Sequence, residues 1–289
     1  RIGLVTAVWE RHGGKRLFDQ DEANELMARL NGQPARVTSV KRKRKSEPAP
    51  LPYDLTELQR EANKRFGFSA KKTLSVLQRL YEQHKLVTYP RTDSRYLPND
   101  MKATMTDRLL AMKPGYEAMI SSLLAKGNAK AASRVFQDDK VTDHHAIIPT
   151  DERLNLGKLS ADERKLYDMI ARRFLALFYP PYEYETATAV FEIGGETFVA
   201  RETVVVNAGF KTVLGKEETE TKPTWLHLSE GQTFASVQLE REQSFTEPPS
   251  RYSEADLLAQ MEKYGLGTPA TRADIIERLV ETEVVERKD

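Results

Sequence analysis

The stretch LVTYPRTDSRYLP, residues 86–98, places a tyrosine between a short β-branched run and a proline. Arg91, Asp93 and Arg95 follow Tyr89 at every second position. In an extended chain these residues share one face, so a phenol, two cations and a carboxylate point the same way. A guanidinium group can bind two oxygens of one phosphate at once. Arginines beside the tyrosine therefore suit a nucleophile that attacks a phosphodiester. A solvated loop with incidental charges is the alternative.

A second cluster, DHHAIIPT at residues 143–150, holds two of the five histidines. Histidine can act as a general acid or bind a phosphate. A capping Asp-His pair or a surface turn would give the same pattern. Adjacent histidines also occur in metal sites, but no third ligand of suitable spacing stands near them.

The segment YSEADLLAQMEKYGLGTPATRADIIERLVE, residues 252–281, predicts two helices around a Gly-rich joint, a helix–turn–helix by pattern. Ser253 is the expected cap of the first helix, and Thr268 is the expected cap of the second, with Pro269 at its first position. The expected apolar faces are Leu257, Leu258, Met261 and Tyr264 in the first helix, and Ile275, Ile276 and Leu279 in the second.

The start of the second helix is a candidate anion site, because free N–H groups and a positive dipole meet there. Thr268, Thr271 and Arg272 stand at this end. A plain helix–helix turn is the alternative.

A run of five cations lies near the start of the chain: Lys41, Arg42, Lys43, Arg44 and Lys45. Residues 1–50 contain 11 Lys and Arg against 6 Asp and Glu, whereas the whole chain carries a net charge of only +1. Such a run would bind phosphates with salt-sensitive affinity. A solvated charge run and a localisation signal are the alternatives.

Composition sets further bounds on the 289 residues, a length that predicts about two domains. The absence of cysteine excludes disulfides, Cys-ligated zinc and a thiol nucleophile. No stretch approaches about 18 consecutive apolar residues, so no transmembrane helix is expected. The chain opens with Arg-Ile-Gly and no Met, which we interpret as an excised fragment.

Periodicity suggests that a helical region is inserted into a strand-rich one. Strands are predicted in RIGLVTAVWE and GGKRLF (residues 1–18), in ARVTSVKRKRK (35–45) and across 182–247, with a helix at about Asp21–Leu30. Helical patterns begin at Leu55 after a Pro-rich passage, and Pro180-Pro181 stops them.

Together, LVTYPRTDSRYLP, HHAIIPT and EADLLAQMEKYGLGTPATRADIIERL resemble type IA DNA topoisomerases, and the YPRTDSRYLP and GLGTPATRAD variants are most similar to bacterial topoisomerase III. The resemblance implies an α+β multidomain fold. A strand-rich arch would comprise residues 1–52 and 179–246. A helical, winged-helix-like domain with the active-site tyrosine would be inserted at 53–178. Residues 247–289 would form a partial helical DNA-groove domain containing the helix–turn–helix.

The same resemblance implies roles for individual residues. Tyr89 would be the nucleophile that forms a 5′-phosphotyrosyl bond, and Arg91 would stabilise charge on the scissile phosphate. His144, which matches the family's histidine, would contact phosphate and assist proton transfer. The implied DNA contacts are Asp93, Arg95, Thr268, Thr271, Arg272 and the run Lys41–Lys45.

The implied partners are single-stranded DNA and a Toprim domain of the same polypeptide. In the family that domain supplies an acidic cluster for Mg²⁺ and a lysine beside the tyrosine. No D-x-D-x-E run occurs in this chain. We therefore expect Mg²⁺ only in the full-length enzyme, no metal site here, and no activity of the isolated fragment. A monomer in the cytoplasm, associated with the nucleoid and not with membranes, is expected.

Two other classes of protein were weighed against this interpretation. A non-catalytic, winged-helix-type nucleic-acid-binding module would explain the helix–turn–helix and the basic run. A tyrosine recombinase fits poorly, because it would need arginines and histidines upstream of a tyrosine near the C-terminus, whereas Tyr89 comes early.

Overall fold

The computed structural model describes residues 2–3, 5–125, 127, 130–215 and 228–288. The described chain forms a mixed α/β fold with one antiparallel sheet. It divides into two compact units. The first comprises described residues within 1–48, 181–209 and 217–248, and the second comprises those within 49–180, 210–216 and 249–289. The four domain ranges expected from the sequence stay a prediction.

The first unit contains a five-stranded sheet in the order β1-β4-β3-β2-β5. The strands are β1 (Val8–Glu10), β2 (Ala35–Glu47), β3 (Tyr182–Ile193), β4 (Glu196–Asn207) and β5 (Thr233–Phe234). Gly194 and Gly195, with φ of 53° and 82°, form the tight turn between β3 and β4. Two consecutive positive φ angles match the twist of a two-residue hairpin, which explains the glycine pair.

One helix of this unit, α1 (Gln20–Leu30), packs on the sheet through the buried Leu30. Asp19 caps it by accepting hydrogen bonds from the backbone N–H groups of Asp21 and Glu22. Leu30 joins Val37, Phe191 and other buried residues in one apolar core.

Two strand predictions in this unit were wrong. Of the residues described within 1–18, only Val8–Glu10 forms a strand, and GGKRLF forms none. Phe18 is 87% exposed, so the apolar residues of that segment find no sheet face to bury against. The stretch 182–247 was predicted to continue as strands. After Asn207, however, the only strand among the described residues of this stretch is β5, and residues 216–227 lie outside the described chain.

The second unit contains six α-helices among its described residues. They are α2 (Leu55–Phe66), α3 (Ala70–Glu82), α4 (Met105–Ala125), α5 (Ala161–Leu175), α6 (Glu254–Lys263) and α7 (Arg272–Glu281). Side chains of Asp54, Ser69, Ser160 and Ser253 cap α2, α3, α5 and α6. Gly67, in the left-handed conformation, ends α2. In the described chain, no helix has the length and apolar character needed to cross a membrane.

A single large core in this unit carries the two extended segments that contain the sequence motifs. Leu58, Leu77, Leu97, Ile147 and Phe174 are among its fully buried members. Backbone bridges join Val87 to Pro149, Tyr53 to Ile147 and Leu97 to Phe136. The tyrosine segment and the histidine segment are therefore held side by side on a packed base.

The α6–α7 pair differs in detail from its prediction. The second helix begins at Arg272, not after Thr268, because the intervening residues form a turn in which the Thr271 N–H donates to the Thr268 carbonyl at 3.0 Å. Tyr264, expected on the apolar face, is 65% exposed, and Ile275 is also exposed. Leu258, Met261 and Ile276 are buried as predicted, and Ala273 and Ala70 of α3 complete the packed cluster.

Candidate active site

The tyrosine segment alternates between buried and exposed side chains, as an extended strand does. Thr92 and Ser94 are buried, whereas Arg91 and Asp93 are exposed. Tyr89 lies at intermediate exposure, with its backbone held by the buried residues before it. The alternation brings Arg91 and Asp93 to the solvent side of the segment.

Arg95 departs from this arrangement. Its Nε donates to the carbonyl of Pro52 at 3.2 Å, and the side chain is half-buried. It lies near the buried Asp54, whose pKa burial raises to about 6 although Arg95 and the Glu57 N–H act to lower it. Arg95 thus supports the start of α2, and this placement counts against its predicted contact with DNA.

A row of hydroxyl groups joins the tyrosine segment to the histidine segment. Thr88 Oγ1 donates to the Ala146 carbonyl and accepts from the Ile148 N–H, both at 3.0 Å. Thr92 Oγ1 donates to the His144 carbonyl at 3.2 Å. The residues named for chemistry stand at odd positions, and these hydroxyls stand at even ones. These threonines were not predicted from the sequence, although the period of two offered the signal.

The ring of Tyr89 is held between two aromatic neighbours. The imidazole of His144 stacks on it, with ring centroids 4.0 Å apart and planes inclined by 29°. The ring of Tyr81 meets it edge-on at 5.6 Å and 88°. His144 therefore touches the phenol through its ring face, and proton exchange with the phenolic oxygen would need a shift of the imidazole or a bridging water.

The two neighbouring histidines have different environments. His144 is exposed, whereas His145 is half-buried, with Nδ1 2.8 Å from the carbonyl of Ala146. Burial lowers the pKa of His145 below its usual range, and the nearby Arg108 lowers it further. His145 is thus held against the backbone of its own segment, which leaves His144 as the histidine of the pair that is open to a substrate.

A cleft of about 210 Å³ brings three of the sequence motifs together. It is lined by Arg91, Thr92, Asp93, Thr142, Asp143, His144, Thr268, Pro269 and Ala270. Tyr89 borders it through the stacked His144. Asp93 is fixed by the Thr142 hydroxyl, which donates to its Oδ1 at 2.9 Å. Arg91 makes no ion pair or hydrogen bond within the described chain, so its guanidinium is open to an anion.

The Gly-rich joint reaches this cleft through Thr268 but supplies fewer free donors than expected. The Thr268 N–H donates to Thr271 Oγ1 at 2.8 Å, and the two threonine hydroxyls lie 3.2 Å apart. Thr268 lines the cleft, and Thr271 is not among the lining residues.

Arg272 does not fit the predicted DNA contact. It is only 7% exposed. Its guanidinium donates to Thr56 Oγ1 at 2.9 Å and to the carbonyls of Leu266 and Gly267. These bonds fix the Gly-rich joint against α2, so the group is already occupied. The sequence pattern could not distinguish a cation that binds a ligand from one that ties down its own loop.

The basic run lies on β2 in the first unit, where all five side chains are exposed. Successive residues of a strand point to opposite faces, so Lys41, Lys43 and Lys45 share one face and Arg42 and Arg44 the other. Arg44 pairs with Glu183 at 2.9 Å, and the Lys45 ammonium lies 6.0 Å from the centre of the Tyr184 ring. Among the described strands this part of β2 pairs only with β3. Cations along such an edge also oppose pairing with another chain.

No group of three or more His, Asp or Glu side chains that could hold a metal ion occurs among the described residues, and the chain has no cysteine. The described part of the chain therefore supplies no ligand cluster of its own for the Mg²⁺ that the resemblance implies. No step of the chemistry is assigned to a metal held by this part of the chain.

The cleft thus offers an open arginine and a histidine beside a tyrosine ring, and comparison with known proteins identifies the family of the chain. The family model described as DNA topoisomerase matches residues 3–289. The chain belongs to this family, in its type IA branch.

Curated relatives include DNA topoisomerase 3 from Bacillus licheniformis, which is 46% identical over 98% of this chain. DNA topoisomerase 3 from Bacillus subtilis is 45% identical over 98%, and that from Shouchella clausii is 42% identical over 98%. The chain spans 43%, 43% and 42% of these relatives.

Among solved structures, full-length topoisomerase I from Thermotoga maritima matches with a TM-score of 0.70 at 28% identity. The match covers 97% of this chain and 45% of that one.

Proposed function

We propose that this chain carries the nucleophile of a type IA DNA topoisomerase, which cleaves one DNA strand transiently, passes a strand through the break and reseals it. The observation that carries the proposal is the placement of Tyr89 against His144 at the edge of a cleft that Arg91 enters. Family membership and the named relatives support it.

In the proposed reaction the phenolic oxygen of Tyr89 attacks phosphorus, and the bond to the 3′ oxygen of the preceding nucleotide breaks. The phenol loses a proton and the leaving 3′ oxygen gains one, so the exchange is balanced. Attack by the same 3′ hydroxyl reverses the step and restores the strand. One phosphoester replaces another, so no external energy source is needed.

Two side chains supply what an isolated phenol lacks. A free phenol has a pKa of about 10 and is protonated at neutral pH. Arg91 offers a guanidinium to a phosphate that gains charge in the transition state. His144, exposed and next to the ring, is placed to carry a proton after a small shift or through water.

The finer architecture follows the family. We assign the strand-rich unit to an arch, the helical residues 53–178 to a winged-helix-like domain, and residues 247–289 to part of a DNA-groove domain that single-stranded DNA follows past Thr268. The intact enzyme is proposed to be a monomeric, cytoplasmic protein that associates with the nucleoid. It would use Mg²⁺ held by a Toprim domain.

The isolated chain should not relax supercoiled DNA, even with Mg²⁺, because the acidic cluster implied by the resemblance is absent from it. Agarose-gel analysis of a plasmid incubated with the pure chain measures this. Addition of the remaining segments of the enzyme in the same polypeptide is the positive control. Robust relaxation by the pure chain, with contamination excluded, would show that the chain has a complete site.

The basic run is proposed to contact the DNA backbone. Because its side chains alternate between the two faces of β2, the two faces can be tested separately. One variant changes Lys41, Lys43 and Lys45 to Gln, and the other changes Arg42 and Arg44 to Gln. For single strands each lost phosphate contact lowers the slope of log K against log salt by about 0.7. We expect the three-lysine variant to reduce the slope by about 2, measured by fluorescence anisotropy of a labelled oligonucleotide.

The arginine pair serves as the matched control for that variant, because Arg44 is already paired with Glu183. Its slope should change less than that of the lysine variant. Unchanged slopes in both variants would mean that the run does not contact DNA and is only a solvated edge of the sheet.

The proposed function is tested by denaturing the intact enzyme after incubation with a labelled single-stranded oligonucleotide. Label should remain on the protein, on the peptide that contains Tyr89. Label on another peptide, or none at all, would overturn the proposal.

A further inference from the structure

We propose that Tyr81 is a positioning residue for the cleavage reaction, which holds the ring of Tyr89 in the orientation needed for attack on phosphorus. The inference rests on the proposed function of Tyr89 and adds a second residue to it. Tyr81 does not touch the substrate in this proposal; it acts through the ring of the nucleophile.

The first argument is the geometry around the phenol. The ring of Tyr81 meets that of Tyr89 at 88°, with centroids 5.6 Å apart, which is a favoured aromatic arrangement. His144 covers the face of the same ring. Rotation of a tyrosine ring about its last torsion is intrinsically soft. The phenolic oxygen lies on the rotation axis, so this rotation turns the plane of the hydroxyl group, and contacts on two sides of the ring fix that plane.

The second argument is that Tyr81 is itself fixed from behind. It lies in the last turn of α3 and packs on the large core. Arg79 and His84, on either side of it in sequence, both reach the buried Glu163, at 3.0 Å and 3.3 Å. Burial acts to raise the pKa of Glu163, but hydrogen bonds from Ser160 and Arg79 hold it below its usual range.

Glu163 belongs to the capping box of α5, where it accepts from the Ser160 N–H at 2.8 Å. The end of α3 is therefore clamped to the start of α5, and Tyr81 stands on the clamped turn. A ring that only filled space at the surface of the core would not need such a support. Because the turn that carries Tyr81 is fixed, the Tyr81 ring can hold the Tyr89 ring in one orientation.

The experiment compares Tyr81→Leu, Tyr81→Phe and the matched control Tyr179→Leu in the intact enzyme. Tyr179 is also a partly buried tyrosine packed on the same core, and it makes no ring contact with Tyr89 among the described residues. Single-turnover cleavage of a labelled oligonucleotide, its dissociation constant and the Tm are measured for each. Loss of an aligned contact should slow cleavage by Tyr81→Leu about 10-fold.

Tyr81→Phe keeps the ring edge and should cleave within about 2-fold of wild type. The dissociation constant of Tyr81→Leu should be unchanged, and its Tm should fall no further than that of Tyr179→Leu, whose cleavage rate should stay normal. Equal loss in the two leucine variants would make the effect one of core stability. Equal loss in Tyr81→Phe and Tyr81→Leu would place the effect in the hydroxyl. Either result overturns the proposal, as does normal cleavage by Tyr81→Leu.

A measurement on the chain itself separates this proposal from the proposed function. With ring-labelled tyrosine, NMR exchange spectroscopy reports the flip rate of the Tyr89 ring. Tyr81→Leu should raise that rate at least 10-fold, and Tyr179→Leu should not. An unchanged flip rate refutes positioning by Tyr81, whether or not Tyr89 forms the covalent bond. Absence of a Tyr89 adduct in the wild-type enzyme refutes the proposed function, whatever the flip rate.

Discussion

In the intact enzyme we expect Tyr89→Phe to abolish covalent capture of single-stranded DNA and to leave its binding unchanged. The substitution removes the only oxygen of that side chain that can bond to phosphorus. The phenylalanine ring preserves the stack on His144 and the edge contact with Tyr81, because both involve ring atoms. The fold and the cleft should therefore survive, and the expected loss is complete within the detection limit of the assay.

The measurement is the fraction of labelled oligonucleotide that stays on the protein after denaturation, with anisotropy as the measure of binding. Tyr96→Phe is the matched control, since Tyr96 lies in the same extended segment and its ring faces Lys140, with the ammonium 5.8 Å from the ring centre. That variant should trap DNA as the wild type does. Wild-type trapping by Tyr89→Phe would mean that another residue is the nucleophile, and a wild-type enzyme that binds but never traps would favour a non-catalytic binding module.

The elements that the sequence predicted well are those whose determinants are local. Ser253 was predicted to cap a helix, and it does so by accepting from the Asp256 N–H three residues further on. The strands predicted from residue 182 onward are confirmed in β3 and β4, and the positive φ angles of Gly194 and Gly195 set the turn between them locally. In such places the physical cause is a cap or a dihedral angle, and it can be read from neighbouring residues.

The errors arise where distant residues decide. GGKRLF has strand-like composition, but no strand of the described sheet offers it a place, and Phe18 stays in solvent. Helix α7 begins later than predicted because the Thr271 hydroxyl accepts a hydrogen bond from the Thr268 N–H and closes a turn before the helix. Arg272 carries the charge expected of a phosphate ligand, yet Thr56, 216 positions away, takes one of its nitrogens.

The candidate site shows the same division between local and distant causes. Alternation along the segment correctly indicated that Arg91 and Asp93 point the same way, and the cleft contains both. The pairing of that segment with residues 143–148 depends on Thr88 and Thr92, whose partners lie 58 and 52 residues away. No local pattern specifies such a register, so the stack of His144 on Tyr89 became visible only in the fold.

Arg91→Ala should slow cleavage about 10²–10³-fold while the Tyr89 oxygen stays in place. Removal of one preorganised group that stabilises developing charge has this magnitude. Arg91 is exposed, lines the cleft and has no partner within the described chain, so its removal disturbs no internal contact. Stability should consequently be unaffected, and a Tm within the error of wild type is part of the expected result. Single-turnover cleavage of a labelled oligonucleotide measures the rate.

Arg91→Lys should recover only part of the rate, because an ammonium is a point charge and cannot form the two parallel hydrogen bonds of a guanidinium with phosphate. Arg95→Ala is the matched control four residues further on, where the guanidinium serves the Pro52 carbonyl and lies outside the cleft. It should lower the Tm and leave the cleavage rate of the folded enzyme nearly intact. If Arg95→Ala slowed cleavage as much as Arg91→Ala, the two arginines would act together on DNA, and the separation of roles drawn from their positions would be wrong.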